Sequence, residues 1–310
     1  MEYSTKNKTF IQKFRKFISD KKFYFFIFPW LLSLICFTLI PMIVSLILSF
    51  TNAKASTITT KPLKFIGLLN YEDIFLTDTL FLKSIENSFI YAIFKVLFVL
   101  LVSFLIALLL NRSGKLSKLK NLYRVLIYLP SVIPAVANAL LWQILVCQDR
   151  SLIVNVFRDL GFGTIDLRQP VTAMIVVIII NSFGAVGPWM LVILSNLQNV
   201  PADLIDAAKI DGANKFQTIM NVTIPYISPS LFFLLATGFI NTLQAYTEIT
   251  LLFGDNYNTY TMTMCIMDNA FGGAGIGYAC AMAWITFVIV GIFTAIFFAT
   301  IGKKVYYDGQ

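Results

Sequence analysis

The chain has no histidine, and only 13% of its 310 residues are charged. Histidine is the commonest general base and a leading metal ligand, and no compact set of carboxylates replaces it. Catalysis by this chain alone is therefore not expected, and neither is a metal centre. Its four cysteines, Cys36, Cys147, Cys265 and Cys280, are scattered without paired spacing and read as small apolar fillers. The glycine-lysine pattern that cradles nucleotide phosphates is missing as well, so this chain is not expected to bind ATP or any other cofactor. No internal repeat or low-complexity stretch is found.

Apolar residues are what the chain has in quantity: 58% of it is hydrophobic, including 29 phenylalanines, beyond the range of soluble domains. About 20 apolar residues cross a hydrocarbon layer roughly 30 Å thick, since each helical residue advances about 1.5 Å. Six runs meet that length, at about Phe23–Phe50, Ser88–Leu110, Leu122–Cys147, Val171–Leu194, Ser228–Leu252 and Tyr278–Ile301. Irregular backbone in lipid leaves polar groups unpaired, so the runs are predicted to be helices; being continuous rather than alternating, they do not suit a barrel. The expected fold class is all-α, a polytopic membrane protein with six transmembrane helices. The first run follows a basic start but outlasts a signal-peptide core and is followed by no small-x-small site, so it reads as a retained anchor.

The formal charge of +8 would suggest nucleic acid on a soluble protein, but here its placement is what matters. Sixteen cations fall in the segments on one side of the six runs, among them Lys6, Lys8, Arg112, Lys115, Lys209, Lys215 and Lys303, and seven on the other. Cations mark the cytoplasmic side, so both termini are predicted inside, with membrane lipid and not nucleic acid as the surrounding partner. This divides the chain into a basic head at 1–22, a six-helix domain at 23–301 interrupted by a polar stretch at about 201–225, and a tail at 302–310. Outer loops are expected at about Thr51–Ile85 and Gln148–Gln169. The one remaining cation, Lys95, lies about two turns into the second run; it either snorkels to the outer surface or pairs functionally. Pro29, Pro41, Pro130, Pro134 and Pro188 punctuate the runs. Pro130 and Pro134, followed by Asn138, leave open a broken helix beside a polar cavity.

The interruption, LIDAAKIDGANKFQTIMNVTIP, is too polar to span yet has helical spacing. Leu204, Ala207, Ala208 and Asp211 share one face, and Asp203 and Asp206 suit the positive end of a helix that starts after Pro201. Gly212 then supplies a left-handed turn. Phe216, Ile219, Met220 and Thr223 repeat the spacing in a second helix that Pro225 is expected to stop. Linking surface helices favour lysine and arginine, whereas this one is aspartate-rich with small residues that admit a close partner, so docking on a cytoplasmic protein is expected.

This stretch resembles the EAA loop of the membrane subunits of binding-protein-dependent ATP-binding-cassette importers. Asp206, Ala207, Ala208, Asp211, Gly212, Ala213, Ile224 and Pro225 match that pattern, with aspartate in place of the first glutamate. FPWLLSLICFTLIPMIVSLILSF, FIGLLNYEDIF, YRVLIYLPSVIPAVANALLW and GIGYACAMAW are similar, in the right order, to segments of the sugar-type permeases. The resemblance implies a type I importer permease fold in the bacterial cell membrane, with a coupling helix that includes Phe216 and seats in a separate ATPase. It also implies two such ATPases holding ATP and Mg, an extracellular substrate-binding lipoprotein, and a sister permease in a heterodimer. The cargo it implies is a carbohydrate, an oligosaccharide first; a polyol or glycerol phosphate ester is a near alternative, and an ion-coupled secondary transporter is the rival class. Candidate cargo contacts are Asn241, Gln244 and Glu248, at one-face spacing in the fifth run, and neighbouring Tyr246; Glu248 either faces inward or meets water at the outer interface. Asn138, Trp142, Asn181 and Trp189 are weaker candidates, because single polar groups also join helices.

Overall fold

The protein is described by a computed structural model over residues 27–54, 62–111, 119–147, 152–160, 169–254, 256–272 and 275–305. In chain order its helices are α1 (Ile27–Ser49), α2 (Leu69–Leu76), α3 (Thr79–Asn111), α4 (Lys120–Val132), α5 (Ala135–Val146) and α6 (Leu152–Asp159). They continue with α7 (Pro170–Gln198), α8 (Ala202–Ile210), α9 (Lys215–Leu243), α10 (Thr247–Phe253), α11 (Met262–Phe271) and α12 (Ile276–Thr300). Among these, α1, α3, α7, α9 and α12 are long and apolar enough to cross a membrane, and α4 and α5, bent by 91° to each other, meet the same test only when taken together. The described residues form an all-α fold with five passes, or six, as the apolar runs indicated, when the bent pair counts as one. The basic head at 1–22 and most of the tail lie outside the described residues.

Two prolines make the bend. Pro134 crowds the residue before it out of helical geometry, and Ile133 is extended at ψ 127°. Pro130 has no N–H to continue the ladder, and Leu129–Val132 tightens into a 3-10 turn instead. The broken-helix reading of Pro130 and Pro134 is thus the one that holds.

Helix α3 lies along α7, with α4 packed beside them. Gly187 is what allows that approach, since a Cβ there would stand 2.7 Å from the Ile127 carbonyl oxygen and 2.8 Å from the Tyr128 Cα. Ser103 donates to the Val186 carbonyl at 3.0 Å, a cross-helix bond between α3 and α7. Between α9 and α12 the phenylalanines interlock, Phe232 stacking on Phe297 and Phe239 edge-on to Phe293, both at 5.3 Å between ring centres. Large apolar side chains exposed elsewhere along the passes, such as Phe37 and Leu101, suit contact with lipid.

The stretch expected as an outer loop at Thr51–Ile85 also holds helix, namely α2 and the first turns of α3, which begins nine residues before the apolar run. Sequence hydropathy misses this because those turns carry Lys83, Glu86 and Asn87, which suit water and not lipid. Buried Asn70 ties the segment down, donating to the carbonyls of Ser49 at 2.7 Å and Thr51 at 3.0 Å, where α1 ends. Helix α12 closes on the same place: its principal spanning neighbour is the second half of α1, Trp284 donates to the Ser45 hydroxyl at 3.2 Å, and the Gly277 N–H reaches the Ala53 carbonyl at 2.9 Å. A Cβ on Gly277 would sit 2.2 Å from the Thr51 carbonyl oxygen, which is backbone and cannot swing away. Gly277→Val is therefore expected to destabilise the fold by about 3 kcal/mol, the upper end for overpacking, measured as lowered thermal stability and yield of the purified membrane protein.

Cys265 illustrates the core at the end of the bundle where α1 meets α12. It is buried on α11, and burial pushes its thiol up to about 12, so the reactive thiolate is absent at neutral pH. A polar maleimide is expected to leave Cys265 unlabelled until the protein is unfolded, read by mass spectrometry.

Candidate coupling loop and translocation cleft

The polar stretch folds as helix, turn and helix. Helix α8 starts after Pro201 and ends at Ile210 with Asp211 as its cap, and Gly212 takes φ +82°, a left-handed conformation that glycine alone adopts without strain. Asn214 then caps the next helix: its side chain accepts from the Gln217 N–H at 3.0 Å while the Gln217 side chain accepts from the Asn214 N–H at 2.8 Å. Ile205, Ala208 and Ala213 are half-buried, while Asp206, Ala207, Asp211 and Gly212 are exposed. Asp206 accepts from Lys209 at 2.7 Å, with both side chains about two-thirds exposed. A pair so wet contributes about 1 kcal/mol at most and is easily exchanged for another partner.

Two large apolar side chains stand out beside the turn: Ile210 is 86% exposed and Phe216 is 71% exposed. Phe216 was expected at this surface; Ile210 was not, because its position falls off the small-residue face read from spacing.

Pro225 does not stop the second helix. From Lys215 the helix runs unbroken to Leu243, 29 residues or about 44 Å. A π-turn at Ile219–Thr223 makes this possible: the Ile224 N–H bonds to the Ile219 carbonyl, one residue further back than usual. The widened turn makes room for the proline ring, which would otherwise meet the carbonyl four residues before it. The loop and the fifth pass are thus one rod.

The rod ends short of where the apolar run suggested. Gln244, Ala245 and Tyr246 are not helical, and α10 begins only at Thr247. Thr261 fixes this break by donating to the Ala245 carbonyl at 3.0 Å. Asn241, Gln244 and Glu248 consequently do not share a helical face. Asn241 and Gln244 are exposed, and Gln244 donates to its own helix at the Ile240 carbonyl, 3.1 Å away. Tyr246 packs against the core, and Trp142 sits edge-on to Phe183 at 5.9 Å. None of these four lines the polar cleft described next.

Glu248 and Asn138 do line it. At the bend between α4 and α5 a cleft of about 360 Å³ is bounded by Lys95, Pro130, Ser131, Asn138, Asn181 and Glu248 among others. Lys95 does not run along the lipid face; its ammonium lies 5.1 Å above the Tyr91 ring and its side chain borders this cleft. Asn181 donates to the Tyr91 hydroxyl at 2.9 Å, but its Oδ1 is buried with no partner among the described residues. A buried acceptor without a donor carries a desolvation cost of about 1–3 kcal/mol, which a hydroxyl entering the cleft would relieve. Pro188 adds to the polarity, because it cannot donate to the carbonyl of Gly184, four residues earlier and on the cleft wall. The arrangement is one cation, one carboxylate and several neutral hydrogen-bonding groups within the membrane, beside non-helical backbone. It can hold a hydroxyl-rich molecule, and it has no group positioned to make or break a covalent bond.

Residues 101–305 match the family described as the binding-protein-dependent transport system inner membrane component. The chain belongs to that family. The permease is 34% identical over 296 residues to the probable ABC transporter permease protein YesP of Bacillus subtilis (strain 168), covering 93% of this chain and 92% of that one. It is 27% identical to the arabinooligosaccharides transport system permease protein AraP of the same organism, over 75% and 72% of the two chains. In fold it is similar to a chain from the crystal structure of a bacterial ABC transporter involved in the import of the acidic polysaccharide alginate, with a TM-score of 0.79, 22% identity, and 94% and 99% coverage. The permease is thus the transport subunit of an ATP-binding-cassette importer, a multi-pass membrane protein and not an enzyme, and its family works with an ATPase and a substrate-binding protein. The ion-coupled alternative gains no support from any of these likenesses.

Proposed function

We propose that this permease imports a carbohydrate, an oligosaccharide in the first instance, as one half of a heterodimer with a sister permease. Two ATPase subunits carrying ATP and Mg supply the energy, and an extracellular lipoprotein delivers the cargo. Both termini and the loop around Gly212 face the cytoplasm. The carbohydrate reading is supported by the relatives' names, which include uptake systems for arabinooligosaccharides and for diacetylchitobiose, and by the hydroxyl-matching groups of the cleft at Asn138, Asn181 and Glu248.

The observation that carries the mechanism is the unbroken rod from Lys215 to Leu243. At one end it begins three residues after the Gly212 turn, where Asp206, Ala207, Ala208, Asp211, Ala213, Phe216 and exposed Ile210 would seat in the ATPase. At the other it stops five residues before Glu248 in the cleft. When two ATPases close on nucleotide, a displacement at Phe216 is carried by one helix as far as Leu243, and the short non-helical link at Gln244–Tyr246, held by the Thr261 bond to Ala245, joins it to Glu248 in the cleft. Pro225 keeps its place by the π-turn and leaves that continuity intact.

A single-cysteine variant at Ala208 tests the docking half. In membranes holding the complete importer, a bifunctional thiol reagent is expected to join it to an ATPase subunit carrying a groove cysteine. Uptake of a labelled oligosaccharide panel into vesicles tests the cargo half. Uptake driven by an ion gradient with no ATPase present would overturn both.

A further inference from the structure

A second cleft, of about 510 Å³, lies at the basic side of the bundle between the end of α3, the end of α7 and the start of the coupling rod. Its wall is apolar, formed by Leu105, Leu109, Val200 and Ile205, and its charged lining consists of Lys209 and Lys215, with no carboxylate among the lining residues. Leu105 is 58% exposed and Leu109 53% exposed, so the apolar wall opens sideways toward lipid. The outer cleft between α3 and α7 is different: it carries Lys83 beside Glu86, which neutralise each other at 2.8 Å.

An apolar trough open to the bilayer with lysines at one end matches a molecule with an acyl chain and an anionic headgroup. A free phosphate or nucleotide has no use for the leucine wall, and a neutral lipid leaves the positive charge of the lining unanswered. Lys209 shares its charge with Asp206, which does not line the cleft, and Lys215 has no ion-pair partner among the described residues. We propose that this cleft binds an anionic phospholipid of the leaflet on the basic side, with the acyl chain against Leu105 and Leu109 and the phosphate between Lys209 and Lys215. That places a lipid headgroup across the Gly212 turn, touching both halves of the coupling loop. The composition of the leaflet then bears on how firmly the loop is held against the end of α3. The choice of leaflet rests on the orientation proposed above; the cleft and its charge do not.

The complete importer, purified from membranes, is exchanged into nanodiscs of phosphatidylcholine with or without phosphatidylglycerol, and the lipid retained on release is counted by native mass spectrometry. Phosphatidylglycerol is expected to be retained about tenfold over phosphatidylcholine, two partly compensated lysines at a membrane surface being worth about that factor. Lys209→Gln with Lys215→Gln removes the preference. Leu109→Trp, which fills the trough and leaves both charges, lowers retention of either lipid. Equal retention of the two lipids by the unaltered importer overturns the proposal. So does retention of phosphatidylglycerol that survives both variants, or that inorganic phosphate alone abolishes. ATP-driven sugar uptake, measured in the same nanodisc lipids after transfer to vesicles, tells the two readings apart: uptake that persists while lipid preference is absent removes the lipid site and leaves the transport function standing.

Discussion

Gly212→Arg is expected to abolish ATP-dependent uptake and to release the ATPase during purification, while the permease itself remains folded in the membrane. The backbone at Gly212 has φ +82°, so any side chain strains it, by about 1 kcal/mol or more. A Cβ there meets nothing within 4 Å in the isolated chain. The fold therefore tolerates the added bulk, and the damage falls on whatever docks against the turn. Asp206→Lys should act in the same direction by reversing an exposed charge whose present partner, Lys209, is on its own helix. The check is a pull-down of the ATPase alongside uptake by vesicles. A Gly212→Arg permease that retains its ATPase and transports at full rate removes the docking surface from this loop.

The second large effect separates holding the ATPase from responding to it. Asn221→Gly combined with Val222→Gly softens the rod within the π-turn, each glycine costing about 1 kcal/mol of helix stability relative to alanine. The loop beyond Gly212 keeps all its side chains, so the ATPase is expected to stay bound. Uptake falls by more than tenfold relative to the alanine pair, since about 2 kcal/mol exceeds the roughly 1.4 kcal/mol that a factor of ten is worth. ATP hydrolysis continues and no longer answers to cargo. Helix-favouring Asn221→Ala with Val222→Ala serves as the partner variant and is expected to transport normally. If the glycine pair loses its ATPase, the defect lies in docking and the rod has no separate part in transmission.

Much of this architecture was legible in the residues, for identifiable reasons. Six apolar runs gave the passes because the bilayer imposes a length on any helix that crosses it. The helix, turn, helix at Leu204–Pro225 was legible because Gly212 and the small-residue spacing are local signals. What escaped depended on geometry that spacing cannot carry. Pro225 reads as a stop in any window, and only the π-turn at Ile219–Thr223 lets the helix pass it. Asn241, Gln244 and Glu248 count out as one face only if the helix is continuous, and the Thr261 bond to Ala245 marks where it is not. The cleft draws Asn138 from the third pass, Asn181 from the fourth, Lys95 from the second and Glu248 from beyond the fifth. No periodicity within one segment brings those four together.

The first spanning helix has little of its surface covered, and its principal spanning neighbour is the last helix of the chain, which meets it at Ser45 and at the crowded Gly277. During synthesis α1 leaves the ribosome long before α12 exists. It must wait in the bilayer as an independently inserted element, stable by its own internal bonds and by oil around it. Assembly around α1 is then completed only once α12 arrives, and a nascent chain cut short before Ile276 would leave α1 adrift, a ready target for membrane quality control.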